Sequence, residues 1–138
     1  MMIDTLRILV DFGLVVLIWM VQLLIYPNFA HYTHKNLLSW HRVYIKRLAG
    51  IVIPLMFTQV FVVGYQLYEN KEIYTFLSAI LVVLVWLSTF IQFVPLHNKI
   101  SKGLEIEDSV QKLIHRNWIR TALWTALFLL SFWNILRS

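Results

Sequence analysis

"TLRILVDFGLVVLIWMVQLLIY", residues 5–26, is the stretch whose reading decides the fold. Only Arg7 and Asp11 in it are charged, and aliphatic and aromatic side chains occupy every face of a helix drawn through it. A helix of about 20 apolar residues, rising about 1.5 Å per residue, matches the hydrocarbon thickness of a bilayer. Asp11 falls early in the run, which ends in "LLIYPN" rather than in small residues. It therefore reads as a membrane span and not as a cleaved leader.

Three similar runs occupy about 48–68, 73–96 and 118–136. The expectation is an all-α, polytopic membrane protein: four transmembrane helices in one antiparallel bundle spanning residues 1–138. Composition agrees. The 138 residues are 59% hydrophobic and 14% charged, against roughly a quarter charged in soluble domains. A soluble domain this small cannot bury so much apolar surface, so the first partner is the lipid bilayer. Cysteine is absent, which removes disulfides and thiolate metal sites.

The net charge of +5 does not point to nucleic acid, because the basic residues flank the apolar runs. Lys35, Arg42, Lys46 and Arg47 lie between the first two spans. Lys99, Lys102, Lys112, Arg116 and Arg120 lie between the last two or just inside the fourth. Only Arg7, Lys71 and Arg137 fall on the other side. Basic residues stay cytoplasmic. The two longer loops are therefore predicted in the cytoplasm, with both termini and the "ENKE" turn outside.

All five histidines fall on the predicted cytoplasmic side. "YPNFAHYTHKNLLSWHR", residues 26–42, holds His31, His34 and His41, while His97 closes the third span and His115 precedes the fourth. Leu37, His41, Tyr44 and Leu48 repeat at helical spacing, so the second helix is expected to begin near residue 36. "EIEDSVQKLIHRNW" runs from acidic to basic, as the helix dipole favours, so the fourth helix also starts before its span.

Polar residues within the spans form stripes: Asp4, Asp11 and Gln22; Gln59 and Gln66; Ser88 and Gln92; Asn117, Thr121, Trp124, Phe128 and Ser131. Asp11 is expected either to pair with Arg7 or to contact water. Two readings of the stripes stay open. They are interhelical hydrogen bonds, worth about 0.6–2 kcal/mol each, or they line a polar pocket open to the cytoplasm. In either case Gln59, Gln92 and Thr121 are expected to face protein, and Leu81, Val85 and Leu129 to face lipid. Pro27 is expected to end the first span. Pro54 and Pro95 fall inside helical patterns, where each frees a carbonyl one turn back.

For a pocket, the candidate catalytic residues are His97 and His115 as general bases, with Asn117 and Arg120 stabilising an oxyanion. Candidate substrate-binding residues are His41, Gln92, Asn98, Thr121 and Trp86. His41, His97 and His115 are expected to share it, with His31 and His34 nearer the rim. His31 and His34 have a spacing that imidazole metal ligands use, yet no carboxylate with a ligand role lies nearby. Neither a metal nor a cofactor is expected. Phosphate-cradling and nucleophile-elbow motifs are absent.

"STFIQFVPLHNKI" followed by "LIHRNWIRTALW" resembles the anthrone-oxygenase-like (DUF1772) family of four-span membrane proteins. The likeness covers roughly residues 85–125 and rests on Thr89, Pro95, Asn98, Asn117, Arg120 and Thr121. It implies a four-helix bundle and a cofactor-independent oxygenase acting on a flat, apolar, polycyclic or quinol-like substrate. The leading expectation is a small membrane protein that binds or transforms a lipid-soluble molecule. Its rivals are an accessory subunit of a larger membrane complex and an oligomeric transporter or channel.

Overall fold

The computed structural model describes all 138 residues. Four long helices make up the chain: α1 (Met2–Phe29), α2 (His34–Glu69), α3 (Ile73–Ser101) and α4 (Ile106–Arg137), each long and apolar enough to cross a membrane. Successive helices run antiparallel, and α1 closes the ring against α4. The protein is a multi-pass, all-α membrane bundle. α2 and α4 begin well before their apolar spans, and so lengthen the end that carries the histidines.

Local chemistry sets the helix ends. Thr33 precedes α2, and its hydroxyl accepts the Asn36 amide at 3.2 Å, a bond worth about 1 kcal/mol. At the start of α3 the Thr75 hydroxyl accepts the Glu72 amide at 3.1 Å. α3 stops at Gly103, whose φ of +71° favours glycine. There the Leu104 amide reaches back to the Lys99 carbonyl at 2.8 Å and the Gly103 amide to Ile100 at 3.0 Å, the Schellman pattern.

The packing matches a lipid solvent. Of 34 buried residues, 21 are hydrophobic and 13 are polar or charged, whereas Leu9, Phe12, Phe61, Ile80, Leu84 and Ile91 are among the large apolar side chains on the outside. Gln59 and Thr121 are buried, Gln92 and Leu81 are half-buried, and Leu129 is exposed. Val85 departs from expectation: it is fully buried. It lies three and seven residues beyond Val82 and Ser78, about one and two turns along α3, and so shares their inward face.

Two widened turns interrupt the helices. Val21–Ile25 in α1 and Thr89–Phe93 in α3 are π-helical, closed by bonds from the Tyr26 amide to the Val21 carbonyl and from the Val94 amide to the Thr89 carbonyl. A proline, Pro27 or Pro95, stands two residues beyond each. Proline lacks the amide hydrogen, and its ring crowds the carbonyl four residues back, so the ladder widens just before it. Pro27 thus does not end α1, which runs on to Phe29. The inward face stays in step across both turns: Gln22, Tyr26 and Phe29 in α1, and Val85, Phe93, Leu96 and Ile100 in α3, are all buried, and Tyr26 and His97 stand one turn beyond Gln22 and Phe93.

Candidate functional site

Three polar layers cross the bundle interior. The layer nearest the termini centres on Arg7 and Asp11, both fully buried. Arg7 Nε lies 2.6 Å from Asp11 Oδ2, and its other nitrogens donate to Gln66 Oε1 at 2.8 Å and Ser78 Oγ at 3.0 Å. Gln59 donates to Asp11 Oδ1 at 2.7 Å and accepts from Trp124 Nε1 at 3.1 Å. One ion pair thereby ties all four helices, and of the expected alternatives for Asp11 the structure adopts the pairing with Arg7.

The middle layer is built on Gln22. Its amide donates to the Ile114 carbonyl at 3.1 Å; its oxygen accepts from Asn117 at 3.0 Å and lies 3.1 Å from the Thr121 hydroxyl. Asn117 and Thr121 therefore join α4 to α1, away from the wall of the cavity between α2 and α3.

The third layer, at the histidine end, faces a cavity of about 300 Å³ between α2 and α3. Its walls are almost wholly apolar. Ile53, Phe57, Phe90 and Val94 line it and are exposed on the lipid-facing side of the bundle, and Trp86 stands edge-on to Phe57 at 5.2 Å. Tyr26, His97 and Arg120 bring the polar groups to the inner end. Arg120 is 7% exposed. Its guanidinium sits 4.2 Å from the Phe93 ring centre and 5.1 Å from that of Trp124. No acidic side chain pairs with it, and its Nε has no hydrogen-bond partner in the protein, nor does Trp86 Nε1. Burying a charge without a counter-charge is costly, and here cation–π contacts supply part of the compensation.

Behind the cavity the rings of His97 and His41 stack at 5.0 Å. His97 Nε2 lies 3.1 Å from the Tyr26 hydroxyl, His97 Nδ1 lies 2.8 Å from His41 Nε2, and His41 Nδ1 lies 3.1 Å from Ser101 Oγ. His41 and His97 meet as expected. His115 does not join them: it is exposed, with Nδ1 2.8 Å from the Gln111 carbonyl. It is two residues from inward-facing Asn117, about 200° around the helix. Asn98 is also exposed, and Gln92 bonds to Ser88 at 3.0 Å on its own helix. His31 and His34 are exposed, and His34 pairs with Glu107 at 3.4 Å. No three His, Asp or Glu side chains converge.

Sequence reasoning passed over Tyr26 and Ser101. Tyr26 looks like an interfacial tyrosine before a proline, although it stands four residues beyond Gln22 and shares its buried face. Ser101 reads as loop until α3 is seen to extend that far.

Fold and cavity together define a class: a four-helix, multi-pass membrane protein with a lateral apolar cavity ending in an arginine, a tyrosine and a histidine. No family model, curated protein or solved structure matches the chain.

Proposed function

We propose that the protein binds a lipid-soluble aromatic molecule bearing an acidic oxygen, such as a phenol, naphthol or quinol, in the cavity between α2 and α3. The observation that carries this reading is Arg120: a buried guanidinium without a protein counter-charge, at the closed end of an apolar cavity. Apolar walls with a few convergent polar groups are the usual form of a small-molecule site. The ring system lies among Trp86, Phe90 and Phe93, and the oxygen meets Arg120, Tyr26 and His97. Entry is lateral, from lipid. The resemblance of residues 85–125 to anthrone-oxygenase-like proteins supports the same ligand class, and a cofactor-independent oxygenation is the narrower form of this reading. The charge asymmetry supports a cytoplasmic histidine end. Against the accessory-subunit reading, Gln59, Gln66, Thr121 and Ser131 turn inward.

The test is equilibrium binding of 2-naphthol to protein in lipid nanodiscs, read by tryptophan quenching. A charge-assisted hydrogen bond contributes about 1.5–3 kcal/mol, so Arg120→Gln should weaken binding about ten- to hundredfold, while His31→Gln should not. Equal affinity in the two variants would refute the role of Arg120.

A further inference from the structure

We infer that Tyr26, His97, His41 and Ser101 form a proton relay, which carries one proton between the cavity and the water at the α3–α4 connection. It rests on the proposed binding of an acidic ligand, because the relay needs an acid in the cavity to act on. Its parts come from three helices and form an unbroken line: 3.1 Å from the Tyr26 hydroxyl to His97, 2.8 Å from His97 to His41, and 3.1 Å from His41 to Ser101. Tyr26 and His97 belong to the cavity wall. Ser101 is half-buried at the end of α3, next to exposed Lys102. His41 between them is fully buried.

A buried histidine held only for packing needs hydrogen bonds too, and the backbone is a common partner for side chains, as it is for exposed His115 here. In this line no ring nitrogen ends on the backbone. Every joint has a group at both ends that can give one proton and accept another, which is the property of neutral imidazole and of a hydroxyl. The one buried charge beside the line is Arg120, and the other groups packed on it are neutral rings. Tyr44 stands 6.1 Å from His41 and 6.5 Å from His97 between ring centres. Phe29 faces His41 edge-on at 6.0 Å. Arg120 shares the cavity wall with His97, and Arg42 touches only the Ser101 carbonyl, at 3.4 Å.

In the outward step every proton is accounted for. The ligand hydroxyl gives its proton to the Tyr26 oxygen, and the Tyr26 proton passes to His97 Nε2. The proton on His97 Nδ1 moves to His41 Nε2, the one on His41 Nδ1 moves to Ser101 Oγ, and the original Ser101 proton leaves to water. The ligand is left as an oxyanion against Arg120. Each ring has exchanged one tautomer for the other, so the line is then set to carry one proton inward. No oxidant or metal enters the step.

The experiment mixes wild-type protein in nanodiscs with saturating 2-naphthol by stopped flow. It reads tryptophan quenching and, with an indicator dye in weak buffer, proton release. Wild type should release about one proton per bound naphthol. His41→Phe keeps the ring packing but cuts the line, and should slow release about 100-fold, the range of a positioned acid–base group. Should His41→Phe fail to fold, Ser101→Val should slow release and Ser101→Thr should restore it. Binding without proton release, or release as fast in the cut variants as in wild type, overturns the relay and leaves the binding reading standing. No quenching in wild type overturns both.

Discussion

Consider Asp11→Leu, which removes one half of the buried ion pair. Arg7 then keeps its bonds to Gln66 and Ser78 but loses its counter-charge at 2.6 Å, and Gln59 loses the acceptor at 2.7 Å. Removing one partner of a buried pair costs about 3–5 kcal/mol, and the orphaned Gln59 amide adds about 1 kcal/mol. The variant should therefore unfold with a loss of roughly 4–6 kcal/mol. Adding Arg7→Met removes the stranded charge. The groups then left unsatisfied are neutral: the Gln59 amide, the Gln66 oxygen and the Ser78 hydroxyl. At about 1 kcal/mol each, the double variant should lose about 3 kcal/mol, and so be more stable than Asp11→Leu alone. Reversible unfolding in mixed micelles, followed by circular dichroism, measures all four corners of the cycle. Arg7→Met alone strands Asp11 and should cost about 3–5 kcal/mol for the same reason, so the double variant should fall short of the sum of the single variants by about 4 kcal/mol or more. A double variant as unstable as the sum of the two single variants would refute the claim that the pair acts as a unit.

Two further outcomes are expected. Gln22→Leu should destabilise by about 1–3 kcal/mol in the same unfolding assay, because Asn117 and Thr121 lose their shared acceptor. The chain has no cysteine, so Lys71→Cys and Lys102→Cys each introduce a single label site. On intact cells an impermeant maleimide should label the first and spare the second, and the reverse pattern would invert the topology drawn from the basic residues.

The number of helices, their antiparallel order and their lipid environment are legible in the bare chain. Those properties come from one-dimensional quantities: about 20 apolar residues per crossing, and short polar connections between them. Much of which faces turn inward is legible too, since Gln59, Gln66, Asn117, Thr121 and Ser131 recur at helical spacing and all lie buried. The extension of α2 and α4 beyond their spans can likewise be read, from Leu37, His41 and Tyr44 in one case and from the acidic-to-basic order in the other. Which polar groups meet is a matter of three-dimensional packing alone. Helical spacing cannot say that Arg7 reaches Gln66 and Ser78, or that Asn117 binds Gln22 and leaves the cavity to Arg120, because those pairings depend on the rotation and height of one helix against another. Nor can spacing say that Tyr26 and His97, each one turn beyond a buried neighbour, meet each other and His41, because that depends on three helices at once. His115, on an uninterrupted helix, keeps the outward face its spacing from Asn117 assigns.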